Sequence, residues 1–355
     1  MIVSDLSDDD AIAHPVVVVG AGPAGIVQAL ELRRHGVEVL VLAGGMDGFR
    51  SDYQALADAV LVDPRRHAPM EMAVRRALGG TSLLWGGRCV PFDDNDFAAR
   101  DYVPFGGWPL DPQAIRPWYD TAAGYLDCGP PVFEEKLGSY GDNAECRLDR
   151  LERWSETRDL GRLHDRALKS DPGLRVCLGA VATGFAIDPA SGRVDELAVA
   201  LASGRRMTLR SRAVVLACGG LETTRLMLAA RREIPLAFGG ESGPLGRFYM
   251  GHLEGRIADI VLTQPGLDRA LDFHVDGGGR PGGRYVRRRI TVTGKAQQHH
   301  HLLNLAAWPD NPILGRPEHR SAILSLAYLS LATPGLGGVL APEAIRRKHL
   351  AEGVG

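Results

Sequence analysis

The pattern of apolar and polar positions predicts a strand, a turn and a helix near the start of the chain. Val16–Val19 is a β-branched run without a polar position, which is typical of a strand buried on both faces. A glycine-rich turn follows at once, and residues 26–35 then hold good helix formers that Gly36 can end as a C-terminal cap. Residues 37–42 are predicted to form a second buried strand. This order predicts a βαβ unit.

A second patterned region follows residue 170, where short apolar runs alternate with turn signals. We predict strands over Leu174–Leu178, Val181–Ile187, 196–201 and 207–209, which we interpret as an antiparallel meander. Residues 213–217 are a further buried strand, and glycines separate it from a helix predicted over residues 221–231.

The pattern is weaker in the rest of the chain. Apolar positions that share one face predict a helix over residues 112–126, and residues 128–150 are interpreted as a loop. Residues 1–14 are predicted to be disordered. From about residue 256 the composition shifts towards Arg, His, Gly and Pro, which indicates a second domain.

Composition narrows the class of protein. Glycine supplies 44 of the 355 residues, well above the usual share of roughly 7 %. Because 45 % of the chain is hydrophobic and glycine does not recur at every third position, disorder and a collagen helix are excluded. The glycines therefore predict tight turns and close backbone approaches. The net charge of −2 gives no support to nucleic-acid binding, and the basic run at 287–289 is interpreted as a solvated face.

Cysteine usage and hydropathy indicate the compartment. The five cysteines are widely spaced and form no CxxC, which argues against a zinc ribbon or a redox-active dithiol and suits a reducing compartment. No signal peptide is visible, and the longest apolar tract, residues 323–332, is about half the length of a membrane span. We therefore predict a cytoplasmic protein without a membrane span.

The first motif that carries chemistry is the GxGxxG of residues 20–25, placed between a strand and a helix. In such a motif Gly20 allows the tight turn, Gly22 lets the backbone approach a pyrophosphate, and Gly25 lets helix and strand pack closely. The motif predicts dinucleotide binding. One position departs from the pattern, because Ala43 stands where an acid is expected to hold a ribose hydroxyl.

Two further glycine-rich segments follow. Residues 79–87 read GGTSLLWGG, and paired glycines with hydroxyls between them can cradle phosphate through backbone amides, although an ordinary turn around Trp85 is the alternative. Residues 214–228 run from an apolar strand through Gly219 and Gly220 into a helix. In flavoproteins with two nucleotide domains such a segment returns the chain to the FAD sheet, whereas the alternative is a plain αβ core element.

Together these three motifs, in this order, resemble the glucose–methanol–choline (GMC) family of FAD-dependent oxidoreductases, in the branch of the bacterial sugar and alcohol dehydrogenases. The resemblance covers about residues 15 to 255. The shared residues are Gly20, Gly22 and Gly25; residues 79–87 with Asp96 and Phe97 after them; residues 107–110 leading into Trp118 and Tyr119; residues 219–222 with Arg225; and residues 246–252.

The resemblance implies an α/β fold with a Rossmann-like FAD-binding domain and a partial, sheet-based substrate domain. The FAD domain is expected to be discontinuous, over residues 15–130 and 171–255. Residues 131–170 would form a loop or helical insertion, and residues 256–355 the partial substrate domain.

The resemblance also assigns residues to the cofactor. The first motif would meet the FAD pyrophosphate, the second and the residues just after it would line the flavin, and the backbone of Val181 would meet adenine. The residues so assigned are Gly20, Gly22, Pro23, Ala24, Gly25, Gly79, Gly80, Thr81, Ser82, Trp85, Gly86, Val181, Ala217 and Gly219.

Two departures from the family bear on chemistry. Some relatives attach flavin through a histidine just before the motif tryptophan, where this chain has Leu84, so non-covalent FAD is predicted. The family's catalytic histidine takes the hydroxyl proton while the substrate passes hydride to flavin N5. It lies near the C-terminus, and nothing after residue 256 matches it, so we assign no catalytic residue. His252 is interpreted as a packed core histidine, and His299 and His301, which would share a face on a strand, are not assigned as a metal site.

Two functions of different classes remain open. In the first, the chain is a GMC-type oxidoreductase that oxidises a CH–OH group of an alcohol or sugar, and its C-terminal catalytic segment is missing from the sequence or supplied by another chain. In the second, it is a non-catalytic FAD-binding remnant, a module completed by a partner chain, or a module without flavin. A partner chain or an oligomer is expected to cover the partial substrate domain. An NAD-linked Rossmann enzyme is disfavoured by the meander, the second motif and Ala43.

Overall fold

The computed structural model describes residues 1–138, 143–188, 190–264, 266–276, 283–309, 322–333 and 335–340. Its strands are β1 (Ile2–Val3), β2 (Val16–Val19), β3 (Val39–Ala43), β4 (Arg88–Cys89), β5 (Cys146–Trp154), β6 (Leu174–Leu178), β7 (Val181–Ile187), β8 (Val194–Ala200), β9 (Arg206–Leu209), β10 (Ala213–Leu216), β11 (His274–Val275), β12 (Tyr285–Val292) and β13 (Ala306–Ala307). Its helices are α1 (Asp10–Ala13), α2 (Pro23–Arg34), α3 (Ser51–Gln54), α4 (Met70–Ala73), α5 (Asp94–Phe97), α6 (Pro112–Ile115), α7 (Tyr119–Leu126), α8 (Leu160–Leu163), α9 (Asp165–Ser170), α10 (Gly219–Glu233), α11 (Leu267–Leu271), α12 (Gly294–His299), α13 (Ala322–Ala332) and α14 (Leu336–Leu340).

A parallel sheet with the strand order β1-β6-β3-β2-β10 organises the first half of the fold. Val16 of β2 lies opposite Val39 of β3 on one side and Ala213 of β10 on the other. Every residue of β3 is buried, as expected for a strand of a parallel sheet that is covered on both faces. The predicted α/β fold class is confirmed, and so are the strands predicted at Val16–Val19 and Leu174–Leu178.

Alternate residues of the central strands pack into two cores, one on each face of the sheet. On one face, β2 and β3 pack against helix α2 through Val18, Val41, Ile26, Ala29 and Leu30. On the other face, the same strands pack against the meander through Val17, Val19, Leu40, Leu197 and Val199. Because side chains alternate along a strand, one apolar run supplies both cores.

The antiparallel meander is confirmed as β7, β8 and β9, which pair in chain order. The strands and helices predicted around it lie within one to three residues of their expected bounds. Helix α10 extends two residues beyond the predicted bounds at each end and includes both Gly219 and Gly220.

The prediction of disorder over residues 1–14 is wrong. Ile2 and Val3 add strand β1 to the sheet opposite Val176 and Cys177 of β6, and residues 10–13 form helix α1. The physical reason is that β6 would otherwise end the sheet with unpaired backbone groups, which two apolar residues can cover.

Two predictions for the middle of the chain also need correction. The helix expected over residues 112–126 is interrupted by a 3-10 turn at Arg116–Trp118, because Pro117 has no N–H to donate to the preceding turn. The loop expected over 128–150 ends early, since strand β5 begins at Cys146. The charged residues of β5 concealed this strand from a hydrophobic pattern.

The basic run at residues 287–289 is not a solvated face. All three arginines are buried, and Arg287 donates from Nε to Oε1 of Glu152 at 2.6 Å. Glu152 is itself fully buried. The sequence could not show this pairing because the acid lies 135 positions upstream.

The contacts divide the chain into two compact units. The first comprises Met1–Glu135, Leu151–Ile257 and His274–Arg287, and the second Lys136–Arg150, Ala258–Phe273 and Arg288–Gly355. The domain boundaries given by the sequence stay a prediction. The parallel sheet and the meander both lie in the first unit, which therefore contains the site described below.

The histidines at 299 and 301 do not share a strand face, because residue 299 ends helix α12. Among the described residues, no group of three or more His, Cys, Asp or Glu side chains is placed to hold a metal ion. In the same part of the chain, no helix has both the length and the apolar character needed to cross a bilayer.

A buried carboxylate fixes the N-terminal segment to the sheet. Asp10 accepts hydrogen bonds from the amide and hydroxyl of Ser7 at 2.7 and 2.9 Å, contacts Nε2 of His14 at 3.2 Å, and pairs with Arg175 of β6. Burial acts to raise the pKa of Asp10, but the hydrogen bonds and the charge of Arg175 outweigh it, so that the pKa lies below its usual value.

We expect Asp10→Asn to lower the free energy of unfolding by about 1–3 kcal/mol at pH 7, because it removes a charged acceptor from buried donors. A carboxyl with a lowered pKa stabilises the fold above its unfolded pKa of about 3.9, and this contribution is lost as the pH falls through the folded value. Urea unfolding from pH 7 downwards should therefore show the wild type and the variant converging below about pH 4. The control is Asp8→Asn, whose carboxylate is almost fully exposed. An offset that persists unchanged into acid would contradict this assignment.

Candidate functional site

The candidate site lies at the carboxyl edge of the parallel sheet, where the turns after β2 and β10 meet. Gly20 N donates to Leu42 O at 2.8 Å, and Ala217 N donates to Val19 O at 2.8 Å. These bonds continue the sheet beyond the ends of the strands and hold both turns at one edge. In open α/β sheets, ligands bind at this edge.

Two glycines of the first motif allow a packing that no side chain would permit. A Cβ on Gly20, whose φ is +113°, would lie 2.3 Å from Ala217 O. A Cβ on Gly25 would lie 1.9 Å from Gly20 O. Both distances are far inside van der Waals contact, so both positions require glycine for the strand, the turn and helix α2 to fit together.

Gly22 has a different role, because the position that its Cβ would occupy is open space. A Cβ there would meet a single neighbour, Gly80 Cα at 3.9 Å. Gly22 is the N-cap of α2 and Pro23 follows it, so no side chain caps the helix and its first free amides belong to Ala24 and Gly25. Uncapped amides at the start of a 12-residue helix can bind an anion.

The second motif lies directly against the first. Gly79 N donates to Ala21 O at 2.9 Å, and a Cβ on Gly80 would lie 2.7 Å from Gly22 Cα. Gly79 and Gly80 also have φ of +91° and +57°, a region that favours glycine. Gly80 is thus required by contact with the turn of the first motif, whereas Gly79 is required by its φ and by Asp159 and Leu83, which a Cβ would approach within 2.7 and 2.8 Å.

The remaining predicted residues of the second motif make contacts within the protein. The buried Ser82 hydroxyl donates to Gly79 O at 2.6 Å and accepts from Leu160 N at 3.2 Å. Trp85 Nε1 donates to Arg158 O at 2.7 Å, and Gly86 lies against the Trp154 ring. These residues support the turn, whereas Thr81 is exposed.

The other predicted residues lie at the same edge of the sheet. Val181 begins β7 one residue after Ala180, whose amide donates to Ala43 O at 3.0 Å. Gly219 has φ of +79° and starts α10, with open space where a Cβ would stand. The neighbouring Cys218 donates from Sγ to Val19 O at 3.2 Å, and burial raises the pKa of its thiol, so it is a neutral packing group.

The structure also brings two charged residues to this edge. Arg76 lies outside the sequence motifs, and Glu222 belongs to the third motif but was assigned no role. Arg76 donates from Nε to Gly44 O at 3.2 Å and from Nη1 to Glu222 Oε2 at 3.2 Å. Their side chains are 9 % and 15 % exposed. Each stands three residues from a motif glycine, Arg76 before Gly79 and Glu222 after Gly219, and this closeness to a glycine motif was the available indication.

A cleft of about 890 Å³ adjoins the second motif. Its lining includes Phe49, Gln54, Met72, Arg75, Leu83 and Leu84. The Arg75 guanidinium lies over the Phe49 ring at 4.6 Å. The cleft thus combines apolar surface with polar groups.

Comparison with known proteins agrees with this geometry. Residues 13–47 match the family model described as an FAD binding domain, a range that comprises β2, the first glycine turn, α2 and β3. This chain contains an FAD-binding domain.

Curated relatives match over limited ranges. The chain is 36 % identical over 97 residues to the flavin-containing monooxygenase FMO GS-OX-like 5 of Arabidopsis thaliana, covering 25 % of this chain and 21 % of that protein. It is 31 % identical over 153 residues to paromamine 6'-oxidase of Streptomyces fradiae, covering 39 % of this chain and 27 % of that protein. The chain thus spans about a quarter of the length of these relatives.

Solved structures resemble it at low identity. Pyridoxine 4-oxidase from Mesorbium loti has a TM-score of 0.43 at 17 % identity, with 64 % of this chain and 54 % of that chain covered. A formate oxidase variant from Aspergillus oryzae RIB40 has a TM-score of 0.38 at 17 % identity, with 62 % and 48 % covered.

We expect Gly25→Ala to abolish FAD retention and to lower the free energy of unfolding by about 1–3 kcal/mol, because the new Cβ would displace the turn at Gly20. FAD affinity can be measured by quenching of flavin fluorescence, and stability by urea unfolding. Gly124→Ala in helix α7 is the control, since a Cβ there meets open space. It should be neutral or slightly stabilising. Unchanged FAD affinity in Gly25→Ala would contradict the close packing at this turn.

Proposed function

We propose that the protein is an FAD-dependent oxidoreductase of the GMC type that oxidises a CH–OH group of an alcohol or a sugar. The observation that carries the proposal is the meeting of three glycine segments at one edge of the parallel sheet. Gly20 packs on Ala217, and Gly22 packs on Gly80. This is the arrangement that the sequence resemblance implies for a cofactor cradle.

The residues present fit the cofactor. The open space at Gly22 and the uncapped amides of α2 suit the pyrophosphate of a dinucleotide. Gly80 and Gly219 bring further backbone to the same edge without side chains. When bound, FAD supplies the hydride acceptor that amino-acid side chains lack. The protein's part is to hold the cofactor and orient its ring.

The cleft beside the second motif is the region where we place the flavin ring. The resemblance assigns the residues just after Ser82 to the flavin, and Leu83 and Leu84 line this cleft. An isobutyl side chain has no nucleophilic atom, so Leu84 cannot bond to the ring. We therefore propose non-covalent FAD.

The substrate class rests on the resemblance and on one relative. Paromamine 6'-oxidase is, by its name, an oxidase, and it matches 39 % of this chain. A small-molecule alcohol or sugar substrate and a cytoplasmic location are part of the proposal. No catalytic residue is assigned to the described residues.

A second candidate is an FAD-binding module that a partner chain or a further copy completes. The observation that favours it is the exposure of apolar side chains within and directly after the last shared motif. Met250, Leu253 and Ile257 are 82 %, 101 % and 75 % exposed. Exposed apolar runs of this kind mark surfaces that a partner covers.

We expect acid precipitation to release FAD completely into the supernatant, because Leu84 provides no covalent attachment. The readout is the amount of flavin in the supernatant and in the pellet, measured by its absorbance at about 450 nm. Leu84→Ala should behave in the same way, as a control on the position itself. Flavin that stays with the pellet would contradict the assignment.

We expect the flavin absorbance band at about 450 nm to bleach when an alcohol or a sugar from a substrate panel is added under anaerobic conditions. Bleaching by a reduced nicotinamide and by no alcohol or sugar would contradict a CH–OH donor. A yellow protein that no donor reduces would favour the module completed by a partner. A colourless protein that takes up no added FAD would exclude both candidates.

A further inference from the structure

The departure at Ala43 has a structural counterpart one residue further on. Ala43 is 1 % exposed, so the position that usually carries the ribose-binding acid is closed within the core. The next residue, Gly44, is in contact with Arg76. A Cβ on Gly44 would lie 2.8 Å from Arg76 Nη2, and a Cβ on Gly45 would lie 2.2 Å from Arg76 O. Both glycines therefore make room for the arginine.

Arg76 spans the carboxyl edge of the three central strands. Its Nε bonds to Gly44 O after β3, and its Nη1 bonds to Glu222 in the first turn of α10, which follows β10. In the sheet, β3 and β10 lie on either side of β2. The guanidinium is thus placed across the end of β2, beside the turn that Gly20 begins.

The Arg76 guanidinium is fixed in orientation and still has unused hydrogen-bond donors. Its side chain is only 9 % exposed, and two bonds fix the plane of the guanidinium. Within the described part of the chain, Nη2 makes no hydrogen bond to protein. Because a guanidinium carries five N–H donors in a fixed fork, its unused N–H groups have a defined direction.

We propose that Arg76 binds the adenosine ribose of FAD in place of the carboxylate that Ala43 lacks. The proposal rests on the FAD site proposed above. A carboxylate would accept hydrogen bonds from the ribose hydroxyls, whereas Arg76 donates to a ribose oxygen through Nη2. Glu222 neutralises the buried cation and fixes its orientation. Arg76 is therefore a specificity residue for the AMP half of the cofactor.

The test is calorimetric titration of the FAD-stripped full chain with ADP, 2'-deoxy-ADP and 3'-deoxy-ADP. We expect the wild type to bind ADP about tenfold more tightly than at least one deoxy analogue, the effect of one hydrogen bond to a charged donor. Arg76→Met should bind ADP as weakly as the wild type binds that analogue, and its affinity for the analogue should be unchanged. If Arg76→Met lost the same amount of affinity for ADP and for both analogues, the proposal would be overturned. Such a result would indicate a phosphate contact or a structural role.

Two further variants keep the test decisive. Arg225→Gln removes the exposed arginine that pairs with the same carboxylate at 2.8 Å, and it should keep the preference for ADP. Arg76→Met combined with Glu222→Gln leaves no unpaired buried charge, so it supplies the same comparison if the single variant does not fold. A wild type without preference among the three nucleotides would overturn the inference even if it binds FAD. A wild type that binds neither FAD nor ADP would instead overturn the site itself.

Discussion

The site depends on how closely backbone can approach backbone at the carboxyl edge of the parallel sheet. Gly25 packs closely against Gly20 O, Gly20 packs against Ala217 O, and Gly80 packs against Gly22. Each contact is shorter than any side chain allows. A chain that meets these limits brings three segments, distant in sequence, around one helix N-terminus. The geometry of the candidate site and the packing of the sheet therefore depend on the same close contacts.

The same sheet holds the turns of the candidate site in position. β2 and β3 contribute alternate side chains to two cores, with α2 on one face and the meander on the other. A shift of one residue in either strand would exchange the two faces and separate the turns. Strand β1 completes the sheet beyond β6, and Asp10 holds this segment through Arg175. Contacts far from the turns thus fix their register.

The sequence predicted the elements whose information is local. Apolar runs such as Val16–Val19 and glycines such as Gly20 carry their structural reason within a few residues, so four of the five strands of the parallel sheet, the meander and the first glycine turn were predicted, whereas β1 was not. It missed features that depend on distant partners. Arg76 meets an acid 146 positions away, and Arg287 meets one 135 positions away. Strand β5 was missed for a related reason, since its charged residues are satisfied by partners that a hydrophobic pattern does not include.

The residue types at positions 43 and 76 depend on each other physically. A carboxylate at residue 43 would be buried, because Ala43 is 1 % exposed and belongs to the core on the α2 face of the sheet. The Arg76 guanidinium is already paired with Glu222, so a buried acid at residue 43 would lack a cation of its own, which costs several kcal/mol. An alanine at 43, glycines at 44 and 45, and an acid at 222 together give Arg76 a neutral, closely packed setting. The loss of the usual acid and the presence of the ion pair therefore follow from the same balance of charge.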